Sequence, residues 1–315
     1  MENIQLEGRT IENHYGRNVD KAPALLERWK KGEGVIPSEA DIRILGIRNF
    51  GNAPELANNY WDTSTLSATK GKDVKVILPY EAGSRELTES ARFGLNLINS
   101  DEQLVNYGIN LDVDGRWEQL EGKGVYTLQR EDLILDKDLT EAQAMKHKLL
   151  LTKLGHPDHV DGNFARSADE VAEIIGKTFE LGESEHGYDA MMGQYLPGVS
   201  DKGVLKAWCV DGLGSRAWSD ARDGLDDVFG RFAFDSVGDA KSNAEGIDKA
   251  RIQLQSLEGM LQTGQTDQIG SALDERGQLR QRLLTTEQIY SVIGDYIGSA
   301  NESDVRKAID DLTKQ

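Results

Sequence analysis

Two short stretches of the chain hold residue types that could do chemistry. His156-Pro157-Asp158-His159, with Asp161 close behind, sets two imidazoles among carboxylates. Imidazole nitrogen and carboxylate oxygen are the borderline-to-hard ligands that zinc, manganese or iron accept. The second stretch is Gly212-Leu213-Gly214-Ser215-Arg216-Ala217. It follows an apolar run, Val204 to Val210, and precedes Trp218, Ala221, Leu225 and Val228, which are spaced for a helix. Cys209 is the one cysteine and sits inside the apolar run, so it reads as a small buried hydrophobe rather than a nucleophile. No Gly-x-Ser-x-Gly elbow occurs.

The run from Leu149 to His159 resembles the metal-binding loop of metallo-β-lactamase-fold hydrolases, in which a strand leads into Thr-His-x-His-x-Asp-His. That resemblance implies His156, Asp158 and His159 as metal ligands that activate water for hydrolysis. Lys153 stands where that family has its first histidine, Gly155 is an extra residue in the spacing, and no histidine follows His186. The glycine stretch, in turn, looks like the dinucleotide-binding fingerprint of Rossmann proteins. There, glycines let the backbone approach a pyrophosphate at a helix N-terminus, and a distant acid holds the ribose. By that resemblance Gly212, Gly214 and Asp235 would bind the cofactor, Asp235 standing 21 residues past Gly214.

The elements that must position these residues fall into three regions: a weakly patterned stretch at 1–70, a mixed strand and helix region at 71–238, and a helical region at 239–315. In the first, Pro23 is expected to open a short helix closed by Gly32, and Pro54 another running through Trp61. In the second, Val74 to Leu78 reads as a buried strand and Ser84 as the cap of a helix carrying Leu87, Ala91 and Leu95. Asp114-Gly115 favours positive φ and a hairpin turn after Ile109, Leu111 and Val113. Val125 to Leu128, Val204 to Val210 and Arg231 to Phe234 are the remaining strands. Thr140 and Gln143 make a capping box for a helix that Gly155 ends, so the residues before His156 are helix where the hydrolase motif requires strand. Ser167 and Glu170 repeat the capping pattern for a helix that Gly182 stops. Gly176-Lys177-Thr178 ends like a phosphate-binding loop but lies inside that helix.

The third region shows Ile247, Ala250, Leu254, Leu257 and Leu261 in steps of three and four, the pattern of a packed helical seam. The expected class is therefore α+β, a mixed central domain followed by a helical hairpin or bundle. A balance of 54 acidic against 36 basic residues, formally −18, repels phosphate backbones and disfavours nucleic acid. A single cysteine, a polar start and the lack of a long apolar run point to a soluble cytoplasmic protein with no membrane span. The leading expectation for function is an interaction or structural role, with a protein partner or self-association through the C-terminal helices. The alternative is an enzyme, nucleotide-dependent through Gly212 and Gly214 or metal-dependent through His156, Asp158 and His159.

Overall fold

The computed structural model describes residues 3–6, 9–99, 101–102 and 104–237, all within one compact unit, Met1–Ala240. The helices expected from residue 239 onward lie outside the described residues. The weakly patterned first region is woven into the main sheet. β1 (Ile4–Leu6) and β2 (Arg9–Tyr15) form an antiparallel hairpin. α1 (Asn18–Lys30) buries Val19, Ala22, Leu25, Leu26 and Trp29; Pro23 lies inside the helix and does not open it. After β3 (Gly34–Val35), the box formed by Ser38 and Asp41 starts α2 (Glu39–Arg48), and Pro54 precedes the single turn α3 (Glu55–Asn58). Trp61, expected at the end of that helix, begins β4 (Trp61–Lys70) instead.

β5 (Asp73–Ile77) matches the expected strand, but the helix after it, α4 (Glu89–Leu97), is capped by Thr88 rather than Ser84. β6 (Leu104–Val105) and β7 (Gly108–Asn110) pair across a two-residue turn. Asp114 and Gly115 do adopt positive φ, 55° and 65°, yet they lead into α5 (Arg116–Gln119), not a hairpin. β8 (Val125–Gln129) follows. The helix expected from Thr140 to Gly155 is two pieces, α6 (Glu141–Ala144) and α7 (Lys148–Leu154). His147 breaks it: its Nδ1 accepts from the Leu150 amide and its Nε2 donates to the Ile134 carbonyl at 2.7 Å. α8 (Ala168–His186) starts at the Ser167 cap and runs past Gly182 to Gly187. A Cβ at Gly182 would overlap Met191, so that glycine serves packing and not termination.

β9 (Gln194–Tyr195), β10 (Val204–Val210), β11 (Ser219–Asp220) and β12 (Arg231–Val237) complete an order β1-β2-β12-β4-β10-β11-β9. β10 runs antiparallel to β4, while β12 meets β4 in parallel at Phe232–Asp62. β12 therefore lies between the β1–β2 hairpin and β4, with Arg9 opposite Val237. β5 and β8 extend the sheet beyond β4. Both faces are covered. Leu66, Leu205, Phe232 and Phe234 pack with α1 and α4 on one side, and Ile11, Ala233 and Val210 pack with α2 and α3 on the other. That double burial is why β10 is apolar along its length except at Lys206.

Under the sheet lies an ionic core. Lys153 and Glu39 are both excluded from solvent, with Lys153 Nζ 2.8 Å from Glu39 Oε2 and 3.6 Å from the centre of the Trp208 ring. Arg43 donates to Glu39 Oε1 and to the Ala217 carbonyl, and the Ser219 hydroxyl donates to Glu39 Oε1 at 2.5 Å. Burial pulls the Lys153 ammonium down to about 8, while the two cations hold Glu39 below its ordinary value in spite of its own burial. This cluster ties α2, α7, β10 and β11 together.

Candidate functional site

The histidine stretch is a turn following α7, which Gly155 closes at φ 80°. His156 Nδ1 accepts from the Asp158 amide at 3.2 Å, and the rings of His156 and His159 lie 5.8 Å apart. Asp158 points outward, its carboxylate 3.8 Å from His156. Burial and the neighbouring His156 lower the pKa of His159. Among the described residues, no three His, Cys, Asp or Glu side chains are grouped to hold a metal ion.

Gly212 precedes, and Gly214 lies within, a single 3-10 turn, Leu213–Ser215, and the chain then passes into β11. The helix expected after Gly214 does not form. Its apparent face is divided among separate contacts: Ala217 packs with α7 and α8, Ala221 with Trp208, and Leu225 with Val19 and Phe232, while Trp218 leans on Tyr195. No helix N-terminus is thereby offered to a pyrophosphate. A Cβ at Gly212 would overlap the Asn58 carbonyl, so close packing against α3 accounts for that glycine. Asp235 is distant from this turn. It pairs with Ile11 and Val35 partway along β12, and its buried carboxylate meets Arg9 at 3.0 Å and Arg85 at 3.2 Å. Burial raises its pKa against the pull of those two guanidinium groups.

Sequence reasoning missed a third place, where two loops carry large apolar side chains into solvent. Tyr107, Val228 and Phe229 are 68%, 64% and 71% exposed. Tyr107 occupies the β6–β7 turn with Asn106, both in the left-handed region at φ 61° and 50°. Tyrosine there costs about 1–2 kcal/mol, and such strain persists only where surrounding structure holds it. The holding is visible. Leu225 is buried; its amide donates to the Tyr107 carbonyl at 3.0 Å, and its carbonyl accepts from the Val19 amide at 3.1 Å.

The 222–230 loop is fixed at both ends by buried ionisable groups. Lys206 Nζ, pulled down to about 8 by burial, donates to the carbonyls of Arg222 at 2.5 Å and Asp223 at 3.2 Å. Asp62 Oδ2 accepts from the Arg231 amide at 2.6 Å. Burial pushes the Asp62 carboxyl up to about 7, with Asp223 and Asp227 adding to the rise. The Arg231 guanidinium lies over the rings of Tyr15, Tyr60 and Trp61 at 4.2, 4.7 and 5.4 Å. The loop is thus anchored at both ends.

One solved structure is similar in fold, a protein through which the C-type lectin fold accommodates massive sequence variation in Nanoarchaeota. The likeness has a TM-score of 0.51 at 14% identity and covers 73% of this chain and 100% of that one. It is a likeness of fold. No protein-family model matches the chain, and no curated protein matches it. Among the described residues, no helix is long and apolar enough to cross a membrane. Within a C-type lectin fold the sheet and its helices are the frame, and the loops are the parts free to differ between proteins.

Proposed function

We propose that this protein acts by recognition rather than catalysis, with the lectin-fold unit presenting the 222–230 loop and the Tyr107 turn to a macromolecular partner. The observation that carries the reading is the exposure of Tyr107, Val228 and Phe229 on backbone that a buried lysine, a buried aspartate and Leu225 hold in place. Exposed apolar groups on a rigid support bind without an ordering cost, which is how interface anchors work. A structural neighbour whose fold accommodates massive sequence variation supports the separation of frame from variable surface. The C-terminal region, expected to be helical, is the second interaction element of the reading and the candidate for self-association.

A photo-crosslinking residue in place of Phe229, beside one in place of Glu183 on the exposed face of α8, tests the surface in lysate of the source organism. Discrete adducts from position 229 that are absent from position 183 are expected. Empty or identical patterns from the two positions would overturn the reading. Light scattering on the full chain and on a chain ending at residue 238 tests the C-terminal part, with a change of oligomeric state expected on truncation.

A further inference from the structure

We infer that the partner of this face is a basic polypeptide segment with an apolar anchor, an inference that rests on the recognition reading above. The loop that displays Val228 and Phe229 also carries Asp223, Asp226 and Asp227, all exposed. Among the described residues none of these three carboxylates forms an ion pair within 4.0 Å of a basic nitrogen. Some acids elsewhere on the unit are matched, Asp20 by Arg17, Asp112 by Lys70 and Asp138 by Arg216, whereas Glu173, Glu183 and Glu185 of α8 form no ion pair among the described residues and lack the exposed aromatic neighbour. Of the basic groups beside the loop, Arg222 pairs with Asp220, Arg17 with Asp20, Lys206 bonds main-chain carbonyls and Arg231 lies over Tyr15, Tyr60 and Trp61. Burial raises the pKa of Asp223, and Asp220 and Asp227 add to the rise against the pull of Lys206 and Arg222.

A cationic partner relieves that crowding while its apolar side chain covers Phe229 and Tyr107. A second copy would bring the same carboxylates on a chain of formal charge −18, so like-charge repulsion opposes self-docking of this face. Nucleic acid and anionic lipid are opposed on the same ground. A lone metal ion is a poor occupant, because no three metal-ligating side chains are grouped among the described residues.

The test titrates full-length protein with two short labelled peptides of equal Trp and Leu content, one rich in Lys and Arg and the other in Glu, at low salt. Saturable binding of the basic peptide is expected. D223N/D226N/D227N should weaken it about fivefold, the sum of three small contributions from exposed charges. Asparagine at 227 retains an oxygen for the Phe229 amide, which now donates to Asp227 Oδ1 at 2.9 Å. Y107S/F229S should weaken binding by a similar factor. E173Q/E183Q/E185Q removes the same formal charge from exposed positions of α8 and should leave affinity unchanged. Equal weakening by the α8 variant, or equal binding of the Glu-rich peptide, overturns the inference. If the Glu-rich peptide binds and that binding depends on Phe229, recognition stands and the basic chemistry falls. If neither peptide depends on Phe229 and crosslinking from position 229 is empty, both fall.

Discussion

Asp62→Asn should stabilise the protein, and more so as pH rises. Asp62 is buried between β4 and the start of β12, and its carboxyl sits at about 7 where an ordinary aspartate has 3.8. A folded-state value raised above the unfolded one means that the native state binds the proton more tightly. Stability from this group is therefore greatest at low pH and falls as pH rises from 3.8 through about 7. The full displacement corresponds to about 4 kcal/mol. Between about pH 5 and pH 8.5 the native state loses roughly 3 kcal/mol of it. Asparagine removes the ionisation and keeps an oxygen to accept the Arg231 amide, now 2.6 Å away. Urea unfolding at the two pH values should show the wild-type midpoint falling with pH more steeply than that of Asp62→Asn, the curves separating most above pH 7. Parallel pH profiles for the two proteins would refute the assignment of a protonated, buried carboxyl at neutral pH.

Lys153→Met leaves Glu39 buried with Arg43 as its sole cation and should cost about 3–5 kcal/mol in chemical denaturation; adding Glu39→Gln strands the buried Arg43 without a carboxylate and should lower stability further, not restore it. Gly212→Ala forces a Cβ onto the Asn58 carbonyl and should destabilise by about 1–3 kcal/mol, whereas Gly214→Ala, with open space around it, should change stability by less than about 0.5 kcal/mol. Tyr107→Gly relieves the left-handed strain and should stabilise by up to about 1 kcal/mol while weakening partner binding, a split readable by urea melts beside peptide titration. Metal analysis of purified protein and of His156→Ala/His159→Ala should give equal, substoichiometric content; a stoichiometric ion lost in the variant would restore the hydrolase reading.

Local signals were legible in the sequence where the partners are local. The Thr140–Gln143 box, the Ser167 cap and the left-handed Gly155 all bond within a few residues, and each took its expected form. β10 and β12 declared themselves through apolar and aromatic runs. β4 did not, because Thr63, Ser64 and Thr65 look like loop. Their hydroxyl groups are satisfied by the Trp208 carbonyl, the Ile36 carbonyl and the Glu39 amide, partners that only the finished sheet supplies. The same blindness to tertiary context produced a helix from Trp218, Ala221, Leu225 and Val228. Their spacing is helical, but three of them find different neighbours and Val228 finds none to cover it. The proposed binding surface was unreadable for that reason, since exposure of Phe229 is a property of the packed unit and not of its own segment.

The pairing of β2 with β12 carries a consequence for biosynthesis. Ile11 sits opposite Asp235 and Arg9 opposite Val237, so β2 is sealed by a strand synthesised more than two hundred residues later. Until β12 leaves the ribosome, β2 has an open edge and β4 lacks its neighbour at Asp62. Closing so large a loop is slow, and the unpaired edges are exposed in the interval. A nascent or prematurely terminated chain ending before residue 231 is expected to be a chaperone client and prone to aggregate, even though most of its helices could already have formed.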